Sequence, residues 1–388
     1  MRKTYWLALL IIAGGIAWGL SLSELPGGRV LTFSALLGLA LGVVLQRTRF
    51  CFLCHARDWH DKDDARGLLA ILLALAVGSI GYQIVVGSWL PVPERLPPDL
   101  HIGPVSWALV LAGIAFGAGM LISGSCLSAH LYRLGEGATV SPFALIGAVF
   151  GFGLGFNTWN HFYSAAIAEA PILWLPQQLG YAGALLLQLG VLGLLAVLLW
   201  RKPLPTHAAR APVTALREGI ARLFEGRWPY WTGGLIVGLI AVLIIIRTKP
   251  LGVTAALGSV ARRIGEQQFW VPQRLDGLDT LGGCATVIQD ALLTPNGALV
   301  LALIAGSFAS ALAAGQFTPR LPTLRDVARG LIGGTLLGWG SMIGLGCTIG
   351  TLLSGISAGA VSGWVFALSV FLTLWLGFRI QAQLFKPR

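Results

Sequence analysis

Ten apolar stretches run through this sequence, and each is long enough, or nearly so, to cross a lipid bilayer as a helix. Of the 388 residues, 55% are hydrophobic and 11% are charged, against about 25% charged residues in an average soluble domain. This composition excludes a soluble, disordered or collagen-like chain. It predicts an all-α integral membrane protein with about ten transmembrane spans, at Trp6–Leu20, Val30–Gln46, Gly67–Gly87, Val105–Ile122, Val140–Asn157, Gly180–Trp200, Tyr230–Arg247, Ala298–Gly315, Ala328–Met342 and Ala360–Phe378.

Lysine and arginine indicate which side of the membrane each loop faces, because they are enriched in cytoplasmic loops. The arginine-rich segment 201–228 is predicted to be cytoplasmic, and the alternation of the spans then places both termini in the cytoplasm. The net charge of +11 suits contact with anionic membrane lipid, and no basic folded surface for nucleic acid is visible. The cluster Arg262, Arg263 and Arg274 breaks this alternation, which indicates a segment that re-enters the membrane or lies along it. The N-terminus resembles a signal peptide and is interpreted as a retained first helix.

The sequence repeats itself. Gly38 and Arg47 match Gly238 and Arg247 at an offset of 200, and a second match at an offset of 221 pairs Gly113, Gly117, Gly119, Cys126 and Ser141 with Gly334, Gly338, Gly340, Cys347 and Ser362. Matched spans lie five helices apart and therefore cross in opposite directions. We predict an extra helix at 1–29, a first half at 30–200, the basic linker 201–228 and a second half at 229–388. Inverted repeats are typical of transporters, whose sites lie between the halves; duplication without transport is the alternative.

Two glycine-rich segments contain the matched cysteines. One runs from Gly117 to Cys126, and the other runs from Gly338 to Gly350 and contains Cys347. Glycine inside a helix costs about 1 kcal/mol relative to alanine. Backbone groups freed by a helix break must find partners within the protein or line a cavity, since lipid offers none. The segments are therefore predicted to be broken helices or very close helix contacts.

A cysteine at the start of a half-helix would face an anion with free N–H groups and the positive end of the helix dipole. Its thiol adds a weak donor and a polarisable surface. Neither motif contains Lys or Arg, so an anion would be held loosely enough to leave. This favours a site for a small sulfur-containing anion; the alternative is that both cysteines are simply buried apolar residues. The predicted site residues are Cys51, Cys126 and Cys347 with Gln46, Arg47, Gly124, Ser125, Gly344, Gly346 and Thr348.

Cys51, Cys54 and His55 form the pattern Cys-x-x-Cys-His, which is also found in c-type haem attachment, redox and zinc sites. The predicted cytoplasmic position argues against haem, and no second Cys-x-x-Cys completes a zinc site. The remaining interpretations are a pore-end thiol at Cys51 beside an incidental Cys54, or a membrane thiol–disulfide or persulfide-transfer protein that uses both. Cys284 has no counterpart and is assigned no role. His130, Arg133 and Glu136 either line an exit or cap a helix.

Three motifs resemble the YeeE/YedE sulfur-transporter family: Gln46-Arg47-x-x-Phe50-Cys51-Phe52, the Gly-Ser-Cys126 turn with Arg133-x-Gly-Glu-Gly137, and Gly344-x-Gly-Cys347-Thr-x-Gly350. The resemblance implies an inner-membrane protein of inverted repeats and broken helices that imports thiosulfate, or a selenium compound in the YedE branch. It also implies that Cys51, Cys126 and Cys347 are three thiols along the path, without a cofactor or covalent intermediate. A small cytosolic sulfur-carrier protein is the partner that it suggests. Leu127 to His130 depart from the family pattern, which leaves the anion open.

Overall fold

The structure is a computed structural model that describes residues 3–97, 100–200, 224, 226–248, 250–268, 270–283 and 293–384. Cys284 and most of the predicted linker 201–228 lie outside the described residues. The described helices are α1 (Lys3–Ser21), α2 (Gly28–Thr48), α3 (Phe52–Lys62), α4 (Arg66–Trp89), α5 (Trp107–Ser123), α6 (Leu127–Gly135), α7 (Val140–Phe162), α8 (Leu175–Trp200), α9 (Tyr230–Arg247), α10 (Ala255–Gln267), α11 (Pro295–Ala313), α12 (Leu324–Ile343), α13 (Thr348–Ser357) and α14 (Val361–Leu384).

All ten predicted spans are helical. Nine helical segments among the described residues are long and apolar enough to cross a membrane, and α12 with α13 makes a tenth that is bent by 41°. Local signals set several starts: the Ser106 hydroxyl accepts a hydrogen bond from the Leu109 N–H before α5, and Thr323 with Asp326 forms a capping box before α12. The polytopic all-α architecture is therefore confirmed.

Glycines bring the long helices into backbone contact. A Cβ built on Gly151 of α7 would lie 2.1 Å from the Thr335 carbonyl of α12, and one on Gly338 would lie 2.1 Å from the Ala148 carbonyl of α7. Gly38 of α2 meets α11 in the same way, and Gly234 of α9 meets α4. Because only glycine permits such approach, these positions fix which helices pair and at what distance.

Contacts between the predicted halves occur in matched pairs. α2 packs on α11 and α4 packs on α9; likewise α7 packs on α12, and α5 packs on α14. The predicted repeat matches α2 with α9, α4 with α11, α5 with α12 and α7 with α14. When each helix is replaced by its counterpart, the contact of α2 with α11 becomes that of α9 with α4, and the contact of α7 with α12 becomes that of α14 with α5. A two-fold related repeat would produce this pattern, while the domain boundaries and the opposite membrane directions of the halves stay predictions.

The segment around Arg262, Arg263 and Arg274 contains α10, a helix with two distinct faces. Its small residues Gly258 and Ala261 are buried, and the helix packs on α7. Its opposite face carries an Arg262–Glu266 ion pair. This arrangement is compatible with a helix that lies along the membrane surface, as one of the two sequence interpretations supposed.

The two glycine-rich segments are only partly broken. α5 continues past Gly117 and Gly119 to Ser123, and α12 continues past Gly338 and Gly340 to Ile343. The helices are interrupted only from Gly124 to Cys126 and from Gly344 to Cys347. The glycines before the breaks make close helix contacts, which was the other predicted role. Gly119 packs on Gly333 of α12, and Gly340 packs on Ala112 of α5.

Candidate functional site

The three cysteines of the predicted path occupy the same position in three similar turns. Cys51 directly precedes α3, Cys126 precedes α6, and Cys347 precedes α13. In each turn the cysteine backbone is extended, and its carbonyl accepts from the amide four residues later, at 3.0, 3.0 and 2.8 Å respectively. Each cysteine is therefore the N-cap of a helix, the position where free N–H groups and the positive end of the helix dipole meet.

The residue two positions before each cysteine is left-handed. The φ angles are 50° at Arg49, 84° at Gly124 and 58° at Leu345. This conformation ends the preceding helix and redirects the chain into the cysteine turn. Only one of the three is glycine, so two turns hold a conformation that side chains rarely adopt.

The thiols of Cys51, Cys54 and Cys126 lie together. The Cys51 thiol interacts electrostatically with the neighbouring thiols of Cys126 and Cys54. The Cys126 sulfur also pairs with the Ser128 hydroxyl at 3.3 Å. All three cysteines of the predicted path are fully buried, and Cys54 is half-buried. This polar sulfur cluster joins α3 to α6.

Cys347 is linked to this cluster through helix contact. Its sulfur accepts a hydrogen bond from the Ile349 N–H at 3.4 Å, and α13, which it caps, packs against α6, which Cys126 caps. The next residue, Thr348, is fully buried, and its hydroxyl has no hydrogen-bond partner. An unsatisfied buried hydroxyl costs about 1–3 kcal/mol, so a donor at this point is available to a polar ligand.

A small cavity adjoins the Cys347 turn on its other side. Its volume is about 10 Å³, about the least that one water molecule needs. Polar groups on the wall include His101, Ser106, Thr351 and Ser362, and Leu345 and the backbone of Gly344 complete it. Thr351 donates to the Gly344 carbonyl at 2.9 Å, which holds the helix break in place. The space is too small for an oxyanion in this conformation.

His101 ties the loop between α4 and α5 to this turn. One ring nitrogen, Nδ1, lies 2.8 Å from the Gly350 carbonyl, which requires that Nδ1 carries the proton and donates. Burial lowers the pKa of His101 to about 4, outweighing the carbonyl contact that raises it. The side chain is therefore neutral at physiological pH.

Arg133 holds the first helix break together. Its guanidinium donates to the Gly124 carbonyl at 3.2 Å and to the Ser125 hydroxyl. Its charge also acts on Cys54. The sequence left two roles open for Arg133, lining an exit or capping a helix, and these contacts favour the second, because Gly124 is the C-cap of α5.

Gln46 belongs to a polar cluster at the end of α6. It donates to Glu136 at 3.3 Å and to Gln316 at 2.8 Å, and accepts from Ser310 at 2.8 Å. Burial raises the pKa of Glu136, against the opposing charge of Arg133. His130 is buried, with Nδ1 3.2 Å from the Ser141 hydroxyl and Nε2 without a hydrogen-bond partner.

Arg47 lies apart from the thiols. Its guanidinium donates to the Gly226 carbonyl, and the residue is 2% exposed, whereas its repeat partner Arg247 is exposed. The two arginines that the repeat matches therefore lie in different surroundings. The hydrogen bond of Arg47 to the start of the segment before α9 explains the difference.

The sequence analysis did not select Ser128, Thr351 or His101. Ser128 and Thr351 each follow a cysteine within about one helical turn, so polar residues close behind the cysteines were the available signal. His101 is distant in sequence and offered none. Among the described residues, no group of three or more His, Cys, Asp and Glu side chains is placed to hold a metal ion.

The family model described as sulphur transport matches residues 47–376, which span all three cysteine turns. This chain belongs to the sulphur-transport family. The family resemblance drawn from the three motifs is confirmed, and the chain is a membrane transporter and not an enzyme.

Relatives in this family match over most of the chain. The thiosulfate transporter TsuA of Escherichia coli (strain K12) is 28% identical over 354 residues, covering 87% of this chain and 91% of the relative. The protein of the same name from Spirochaeta thermophila is 27% identical over 364 residues, covering 88% and 96%. The probable transporter YedE of Salmonella typhimurium is 26% identical over 225 residues, covering 56% and 52%.

Proposed function

We propose that this member of the sulphur-transport family carries thiosulfate across the membrane along a path formed by Cys347, Cys126 and Cys51. The observation that carries the proposal is the shared position of the three cysteines as buried N-caps. The names of the two relatives that match most of the chain favour thiosulfate over other sulfur anions.

The chemistry of the turns suits this anion. Thiosulfate has a polarisable terminal sulfur and three oxygens, and each turn offers a thiol next to backbone N–H groups. A hydrogen bond to a charged group contributes about 1.5–3 kcal/mol and a thiol is a weak donor, so each thiol holds the anion briefly and releases it. Arg133 is bound to Gly124 and Ser125, which keeps its charge near the path and fixes it in place.

The proposed direction is inward across an inner membrane. Under the charge pattern of the loops, the cavity beside Cys347 faces the outside, while Cys51, Gln46 and Glu136 lie toward the cytoplasm. Thiosulfate would then enter past His101 and Leu345, pass Cys347, and leave past the cluster of Cys51 and Cys126. A cytosolic sulfur-carrier protein at that exit is part of the proposal. A selenium compound is the alternative cargo.

Uptake of sulfur-35-labelled thiosulfate tests the proposal in cells that lack other sulfate and thiosulfate importers. Cys347→Ala, Cys126→Ala and Cys51→Ala are expected to reduce uptake about tenfold or more, since each loses a hydrogen bond at the narrowest part of the path. Cys54→Ala is the matched control and should retain most uptake. Competition by unlabelled sulfate, sulfite and selenite measures the preference for the anion. Full uptake by the Cys126→Ala and Cys347→Ala proteins at normal expression would contradict the proposed path.

The electrostatic interaction between the neighbouring Cys51 and Cys54 thiols favours a second candidate function, the transfer of sulfane sulfur. In that reaction the Cys51 sulfur attacks the outer sulfur of thiosulfate, the S–S bond breaks, and sulfite leaves. Intact-mass measurement after exposure to thiosulfate separates the candidates. A gain of one sulfur atom that requires Cys51 supports transfer, whereas an unchanged mass supports passage without a covalent step.

A further inference from the structure

A large cavity lies on the opposite side of α4 from the path. α8 packs on α4 and is otherwise largely exposed, with Leu186, Leu194 and Val197 each at least 60% exposed. Between α4, α8 and α9 the cavity measures about 890 Å³, within the usual range of about 300–1,000 Å³ for sites that hold a small organic molecule. Helix packing has therefore left open a groove at the level of the membrane.

The groove changes in character along its length. Leu72, Leu73 and Ala76 of α4 and Leu189, Leu192 and Ala196 of α8 form an apolar wall. Its other part is lined by Arg66, where α4 begins, by Trp200, where α8 ends, and by the segment 227–231, where α9 begins. All three helix ends lie at one membrane edge. An apolar wall that ends in tryptophan, tyrosine and arginine is the arrangement found where proteins meet lipid headgroups.

Positive charge is concentrated at this end. Arg66 and Arg227 line the groove. Next to Arg227, the carbonyl of Gly226 accepts a hydrogen bond from the buried guanidinium of Arg47. The Nε and Nη1 atoms of Arg47 have no hydrogen-bond partner. Arg66 also forms a bidentate ion pair with Asp64, with Nε 2.8 Å from Oδ1 and Nη2 2.6 Å from Oδ2. Its guanidinium lies 5.8 Å from the centre of the Tyr230 ring. The ion pair fixes the Arg66 guanidinium at the groove, where the charge of Asp58 also acts on it.

We propose that this groove binds one anionic phospholipid, with its acyl chains along α4 and α8 and its phosphate between Arg66 and Arg227. Basic pockets between transmembrane helices at the cytoplasmic side are where such headgroups bind, and the charge of the loops predicts that side here. A neutral lipid would fill the apolar part equally well, so the arginines set the preference. The proposal does not depend on the transported anion.

Native mass spectrometry of the full chain in detergent tests the proposal, with phosphatidylglycerol and phosphatidylcholine of identical acyl chains as probes. We expect phosphatidylglycerol to bind more tightly. Arg66→Gln with Arg227→Gln should weaken its binding about 10- to 30-fold, at about 1 kcal/mol per arginine, and should remove the preference. The control, Arg262→Gln with Arg274→Gln, removes two arginines that are ion-paired outside the groove, and should leave binding unchanged.

A second pair of variants tests the apolar part and keeps the test valid if loss of the Arg66 ion pair disturbs folding. Ala76→Trp fills the groove from α4 and should reduce binding of both lipids, whereas Ala182→Trp on the exposed face of α8 should not. Equal binding of the two lipids to the unaltered protein would overturn the proposal. So would unchanged phosphatidylglycerol binding in Ala76→Trp, or equal weakening by the two arginine pairs.

Discussion

Leu345 holds the left-handed backbone conformation that Gly124 holds at the matching helix break, although Leu345 carries a side chain. Their φ angles are 58° and 84°, and each stands two residues before a cysteine that begins the next helix. Leucine in this region costs about 1–2 kcal/mol relative to the right-handed conformation. The second break therefore tolerates strain that glycine removes from the first, and it places the leucine side chain on the wall of the cavity beside Cys347.

This strain predicts the order of stability of two small variants. Leu345→Gly and Leu345→Ala both remove the buried side chain, but only glycine relieves the left-handed conformation, so the glycine variant should be more stable by about 1 kcal/mol. Gly124→Ala should lose about 1–2 kcal/mol, because the nearest atom to its new Cβ is 3.7 Å away and only the backbone conformation opposes it. Thermal unfolding in detergent measures all three. An alanine variant at Leu345 as stable as the glycine variant would argue against strain.

Glycine packing between α7 and α12 predicts a strong dependence on position. Gly338→Ala places a methyl group 2.1 Å from the Ala148 carbonyl, which forces two backbones apart and should destabilise the protein by about 1–3 kcal/mol. Gly190→Ala on α8 meets no atom within 4 Å and should be neutral or stabilising by up to about 1 kcal/mol. Melting temperatures of the two variants give the comparison. If both melt at the same temperature, the close approach of α7 and α12 does not limit stability.

Arg133→Gln is expected to impair uptake more than it impairs folding. The substitution removes the donor to the Gly124 carbonyl and the positive charge near the thiols, which leaves the break loose and weakens attraction of an anion. Apparent KM for thiosulfate should rise about tenfold, corresponding to about 1–2 kcal/mol of lost interaction.

Arg329→Gln is the matched control for Arg133→Gln, since Arg329 also donates to a backbone carbonyl near this break, that of Ile122, at 2.9 Å, but from an exposed position. It should leave KM within about twofold, because an exposed donor is readily replaced by water. Equal losses in the two variants would assign Arg133 a general electrostatic role.

His101 predicts a loss of stability in acid. Its pKa is about 4 in the folded protein and about 6.5 in the unfolded chain, so below pH 6.5 the unfolded chain binds a proton that the folded protein does not. The free energy of unfolding should therefore fall by about 2 kcal/mol between pH 7.5 and pH 5.

His101→Asn provides the control for this pH dependence, because asparagine retains a donor for the Gly350 carbonyl without a titrating group. Its melting temperature should vary less with pH between 7.5 and 5 than that of the unaltered protein. Parallel pH profiles for the two proteins would show that the charge on His101 does not matter.

Apolar length and glycine spacing were enough to predict the helices. All ten predicted spans are helical because an α-helix satisfies the backbone hydrogen bonds of a spanning segment within the segment itself. The extent of the broken segments was not predictable, since glycine both loosens a helix and allows close packing. Only the neighbouring helix decides between these roles, as the contact of Gly338 with the Ala148 carbonyl shows.

The site was accessible from the sequence where its chemistry is local. The cysteines stand in turns that involve three or four neighbouring residues, so their place at helix starts could be inferred. Contacts between distant residues carried no signal: the pairing of Gln46 with Gln316, the bond from His101 to Gly350 and the burial of Arg47 beside Gly226 depend on packing alone. The left-handed backbone of Leu345 could not be predicted for another reason, because leucine has a low propensity for that conformation.

Glycine contacts between the long helices also limit how the transporter works. Where a carbonyl of one helix rests on the α-carbon of another, there is no layer of side chains to absorb sliding. We therefore expect the scaffold of α5, α7, α12 and α14 to stay still during a transport cycle. Thiosulfate would then advance through small movements of α6, α13 and the Leu345 side chain, which act as a local gate. Rocking of two rigid bodies would not be needed.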